Sequence, residues 1–199
     1  MFTAWLRKTF RGILGPTTLF LARMGISANT LTLFGCLLNI AVGVVIATGH
    51  LRWGGIGLIL ASGFDALDGS LARQAGRPTK FGAFLDSVLD RISESAVLLG
   101  IAWWYMQQGD AIAQIVTYVA IVGSLLVSYT RARAEGVGAE CKVGLLTRVE
   151  RCLILILALL FKLTTPAMWL LAIGTMGTSI HRILYVYRQL GDTPLEASH

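Results

Sequence analysis

The chain has 199 residues, of which 55% are hydrophobic and 14% charged, with a mean hydropathy of +0.68 and a formal net charge of +6. That balance is too apolar for an ordinary soluble domain and points to an integral membrane protein. No basic tract interleaved with aromatics is present, so the positive charge reads as attraction to anionic lipid headgroups, with no nucleic-acid partner.

In chain order, the first element falls at about 2–15, where Trp5, Leu6, Phe10, Ile13 and Leu14 recur at helical spacing opposite Arg7, Lys8 and Arg11. This pattern predicts an interfacial amphipathic helix. It lacks the continuous apolar core and small-residue cleavage site of a secretory signal. Apolar stretches follow at 29–48, 53–72, 81–106, 111–132, 145–163 and 166–187. A hydrocarbon core of roughly 30 Å needs about 20 residues of helix, so six spans are expected over about 29–187. The expected fold is an all-α integral membrane protein with six transmembrane helices behind an N-terminal amphipathic one. It forms a single membrane domain over 1–190, with a polar tail over 191–199.

Six spans place both termini on one side, together with the loops at 74–80 and 132–151. Only Arg52 and Lys162, of 17 basic residues, fall on the other side. The positive-inside rule therefore predicts cytoplasmic termini in the cell membrane. Cys36, Cys141 and Cys152 form no C-x-x-C pair, and His50, His181 and His199 are scattered, so neither redox nor zinc chemistry is indicated.

Four of the six aspartates lie close together: Asp65 and Asp68 in D-A-L-D-G-S-L-A-R, then, after eight residues, Asp86 and Asp90 in G-A-F-L-D-S-V-L-D. Spacings of three and four residues put each pair on one helical face, and two such faces can converge on one cavity. A carboxylate in hydrocarbon costs roughly 2.5–3.5 kcal/mol, so four of them require a compensating partner. Oxygen donors suit a hard divalent cation such as Mg2+, which leaves positions for water and phosphate. Gly69 would let a pyrophosphate approach the helix backbone, and the Arg73 guanidinium is placed to hold a phosphate. The cluster lies at the cytoplasmic face by the same orientation.

The pattern D-x-x-D-G-x-x-A-R, eight residues, G-x-x-x-D-x-x-x-D resembles the signature of the CDP-alcohol phosphotransferase family, with every defining position filled. The resemblance implies a dimeric six-helix enzyme that moves a phosphatidyl group from CDP-diacylglycerol to an alcohol and releases CMP. It implies that Asp65, Asp68, Asp86 and Asp90 hold two divalent ions, Mg2+ or Mn2+, and that Asp90 is also the general base. Gly69, Arg73 and Thr79, with Asn29, Thr32 and Asp65, would contact the CDP group. Helix capping is the competing reading of Ser27 to Thr30.

The segments S-Y-T-R-A-R-A-E from Ser128 and T-R-V-E-R from Thr147, with Arg182 in the last span, resemble the phosphatidylinositol phosphate synthase branch. In that branch, basic residues at the positions of Arg131, Arg151 and Arg182 hold the phosphate of inositol phosphate. A phosphorylated polyol acceptor is therefore expected. Arg133, Lys142 and Arg148 read as loop charge facing anionic lipid. Two alternatives stay open: a phosphatidylglycerophosphate synthase using glycerol 3-phosphate, and a divalent-cation transporter lined by carboxylates.

Overall fold

The computed structural model describes residues 27–74 and 79–191, with the backbone alone over 66–74. The amphipathic helix expected at 2–15 and the tail beyond Gly191 lie outside the described residues. Those described form six helices and no strand: α1 Ala28–Ala47, α2 Leu51–Gln74, α3 Lys80–Gln108, α4 Ala111–Gly136, α5 Arg148–Phe161 and α6 Thr164–Leu190. The all-α expectation holds. Two of these helices, α1 and α4, are long and apolar enough throughout to cross a membrane. Trp53, Ile112, Phe161 and Ile173 are each about two-thirds exposed, an apolar exterior that suits lipid better than water.

Helix ends follow local chemistry. Ser27 caps α1 by accepting from the Thr30 amide at 3.1 Å, and Asp110 caps α4 by accepting from Ala113 at 3.0 Å. The fifth helix differs from expectation. It starts at Arg148, three residues later than the apolar stretch suggests, and its 14 residues reach only about 21 Å. Leu145 and Leu146 extend the hydrophobic window, but they belong to the loop before the Thr147 cap.

The chain forms two compact units, Met1–Gly100 and Ile101–His199. In the first, α1 packs along α2. Gly57 and Gly54 leave room for Val42 and Ile46, and the Phe34 and Phe64 rings meet at 5.4 Å between centroids. Gly100 of α3 lies directly against the Gly43 backbone, and a Cβ at Gly43 would strike the Ala96 carbonyl. Single glycines on two helices thus achieve the backbone contact that a G-x-x-x-G pair often provides. In the second unit, α4 lies along α6, with Gly123 against Thr175. The Tyr105 and Thr165 hydroxyls are hydrogen-bonded at 2.9 Å.

Candidate functional site

The four expected carboxylates belong to the first unit. Asp65 stands on α2, one residue from the Phe34–Phe64 contact that fixes its height against α1. There the absence of a side chain at Gly35 makes space: a Cβ would lie 3.2 Å from Asp65 Oδ1. Asn39, buried, donates from Nδ2 to the Gly35 carbonyl at 2.9 Å and braces this part of α1. Asp86 and Asp90 stand one turn apart on α3, the former exposed and the latter half-buried. Asp68, Gly69 and Arg73 belong to the last turns of α2, and their side chains lie outside the described residues. Among the described residues, no three of His, Cys, Asp and Glu gather as a metal site.

The expected nucleotide contacts are placed at the start of α1 and α3. Thr79 caps α3, its Oγ1 accepting from the Gly82 amide at 2.9 Å. Gly82 also faces α1, because a Cβ there would stand 2.9 Å from Thr79 Oγ1 and 3.1 Å from Asn29 Oδ1. Asn29 and Thr79, 50 positions apart in the sequence, therefore flank one glycine. Capping accounts for Ser27 and Thr30, whose hydroxyls meet at 2.8 Å, but not for Asn29. Thr32 is buried and donates to the Ala28 carbonyl at 3.0 Å.

Arg91 was not among the residues that sequence reasoning picks out. It follows Asp90 but folds back along α3, donating from Nη1 to Ser87 Oγ at 2.9 Å and to the Ser87 carbonyl. Its charge is thereby held one turn before its own position. Ordinary i, i+4 spacing from Ser87 is the signal that could have found it.

The three expected acceptor arginines belong to the second unit, and two of them are buried. Arg151 is 1% exposed and Arg182 is 4% exposed. Arg182 Nε donates to the Val143 carbonyl at 2.8 Å, and its Nη1 donates to the Val127 carbonyl of α4. Arg151 Nη1 donates to the Leu146 carbonyl at 3.0 Å. Arg131 is half-exposed and pairs with Glu135 one turn on, at 2.9 Å. Arg182 and Arg151 both hold carbonyls of the 137–147 connection, Val143 and Leu146, while Arg131 pairs along its own helix. Buried guanidiniums need an anion or fixed dipoles beside them, and here the Val143, Val127 and Leu146 carbonyls supply dipoles. Lys142 behaves as loop charge: it pairs with Glu140 at 2.9 Å, both exposed, and holds that carboxyl below its ordinary value.

Comparison with known proteins identifies the family. The CDP-alcohol phosphatidyltransferase family pattern matches residues 25–180. A phosphatidylinositol phosphate synthase of Mycobacteroides abscessus is 36% identical over 89% of this chain and 84% of its own length. An archaetidylinositol phosphate synthase of Pyrococcus horikoshii is 37% identical over 85% of this chain and 88% of its own. The crystal structure of Mycobacterium tuberculosis phosphatidylinositol phosphate synthase with CDP-DAG bound is 31% identical and superposes with a TM-score of 0.88, covering 94% of this chain and 99% of that one. The same mycobacterial protein has been crystallised with manganese and citrate, with a TM-score of 0.85 to this chain over 92% of it and 93% of that chain. The chain belongs to the CDP-alcohol phosphatidyltransferase family and is a membrane enzyme of that class.

Proposed function

We propose that the enzyme transfers a phosphatidyl group from CDP-diacylglycerol to inositol 1-phosphate, giving phosphatidylinositol phosphate and CMP. It does so as a homodimer, each protomer a single domain over 1–190 that comprises an amphipathic helix at about 2–15 and six spans over about 29–187, with termini and site on the cytoplasmic side of the cell membrane. The observation that carries the acceptor assignment is the pair of buried guanidiniums, Arg151 and Arg182, in a chain whose relatives of that name match most of its length. Free inositol offers no charge to justify burying two cations beside a third, whereas a phosphomonoester carries close to two negative charges.

Asp65, Asp68, Asp86 and Asp90 are the proposed ligands of two Mg2+ ions, or Mn2+. The donor set suits them: all four are carboxylates, and exposed Asp86 with half-buried Asp65 and Asp90 leaves room for water and phosphate oxygens. Divalent ions there would neutralise the pyrophosphate and improve CMP as a leaving group. Asn29, Thr32, Asp65, Gly69, Arg73 and Thr79 bind the CDP end of the donor. Asp90 takes the proton of the attacking hydroxyl as that oxygen bonds to the lipid-bearing phosphorus and the bond to CMP breaks. Arg131, Arg151 and Arg182 hold the acceptor's phosphate. The family match sets the transporter reading aside.

The test is CMP release from CDP-diacylglycerol by the purified enzyme, offered inositol 1-phosphate, inositol or glycerol 3-phosphate, with Mg2+ or with a chelator. Release should require both Mg2+ and inositol 1-phosphate. Turnover with glycerol 3-phosphate alone would replace the acceptor and keep the phosphate pocket. Equal turnover with free inositol would remove the pocket.

A further inference from the structure

The loop between α4 and α5 lies along one face of α6, one helical turn at a time. Ala139 and Cys141 are buried in a small apolar cluster with Val186 and Leu190. The Val143 carbonyl then accepts from Arg182 Nε at 2.8 Å. Gly144 rests on Thr178 and Arg182, and a Cβ at Gly174 would strike Leu146. Val186, Arg182, Thr178 and Gly174 are successive steps of four along α6. The five residue steps from Cys141 to Leu146 span about 17 Å when extended, and the twelve from Val186 to Gly174 about 18 Å of helix. The loop is therefore an extended strap matched in length to the helix it follows.

Gly144 is the tightest point of that strap. A Cβ there would stand 2.7 Å from Thr178 Cγ2 and 3.3 and 3.4 Å from Arg182 Nε and Nη2. Its φ of +126° is also one that residues with a side chain rarely adopt. With glycine, the strap reaches the guanidinium closely enough for the Val143 carbonyl to take Nε, while the Val127 carbonyl of α4 takes Nη1. The fork is thereby held from two sides, and its Nη2 edge is turned toward a residue with no side chain. A Cβ would collide with Thr178 Cγ2 and crowd the guanidinium, which would have to give by a few tenths of an ångström.

We infer that Gly144 is a positioning residue for the acceptor: by carrying the strap against Arg182 it sets the orientation in which the guanidinium receives the acceptor's phosphate. The inference rests on the proposed role of Arg182. Gly144→Ala should raise the KM for inositol 1-phosphate by about five- to tenfold, less than removal of the guanidinium itself, and leave the KM for CDP-diacylglycerol within about twofold. Gly138→Ala is the control for backbone strain, since Gly138 lies in the same connection at φ +79° with nothing within 4 Å of a Cβ. It should lower stability without moving the acceptor KM. Thr178→Leu crowds the same gap from the helix side, leaves the loop backbone unstrained, and should reproduce the Gly144→Ala effect. It decides the question if the Gly144 variant does not fold. The inference is overturned if Gly144→Ala and Gly138→Ala change the acceptor KM alike, or if Thr178→Leu leaves that constant unchanged. Arg182→Ala, assayed alongside, separates the two levels: normal acceptor binding there removes the phosphate pocket, whereas a raised KM confined to Arg182→Ala removes only the role of Gly144.

Discussion

Arg182→Ala provides the sharpest test of how the buried arginines are used. The side chain is 4% exposed and spends two donors on carbonyls, Val143 at 2.8 Å and Val127. Val127 also accepts from Thr130 Oγ1 at 3.2 Å, so only Val143 is left without the partner shown here. The structural cost should then be about 1–3 kcal/mol, the price of one unmade buried hydrogen bond. Loss of a charged hydrogen bond to phosphate costs about 1.5–3 kcal/mol, which raises the acceptor KM by about ten- to hundredfold. Arg182→Lys keeps the charge but has no planar fork to span two carbonyls, so its KM should fall between those of the parent and the alanine variant. Both KM values come from one CMP-release assay, and thermal unfolding in detergent gives the stability term. The reasoning fails if both constants rise together, which is what a general loss of structure produces, or if Arg182→Lys matches the parent.

Further expectations concern the first unit. Asp90→Asn should abolish turnover while largely sparing CDP-diacylglycerol binding, whereas Asp65→Asn should weaken metal and nucleotide binding together; calorimetric titration of each variant with Mg2+ and donor distinguishes them, and normal turnover by Asp90→Asn excludes it as the base. Gly100→Leu drives a side chain into the Gly43 backbone and should cost about 1–3 kcal/mol or more, read as a lowered Tm. In the second unit, Gly177→Ala, with nothing within 4 Å of its Cβ, should raise Tm slightly, because alanine is favoured over glycine in a helix interior by about 1 kcal/mol.

Much of the fold was legible because the six helices follow the six apolar stretches, five of them starting within two residues of those stretches. The boundary moved furthest at α5, where Leu145 and Leu146 are apolar but precede the Thr147 cap. The one-turn placement of Asp86 and Asp90 on α3 was legible from spacing alone because a helical face is set locally. Tertiary consequences were not. Gly43 with Gly100, and Val143 with Arg182 at a separation of 39 residues, leave no local pattern. The sequence showed three arginines on three elements, but not that two of them also fasten the strap, because a carbonyl partner has no residue type to read.

The lipid product itself tests the central claim most directly. Enzyme supplied with CDP-diacylglycerol, Mg2+ and inositol 1-phosphate should form one lipid per CMP released. Phosphorus NMR of that lipid should show a phosphodiester and a phosphomonoester in equal amounts, because the acceptor's phosphate is bound by the arginines and not consumed. A lipid bearing only the phosphodiester, or no lipid formed with inositol 1-phosphate, would contradict the account.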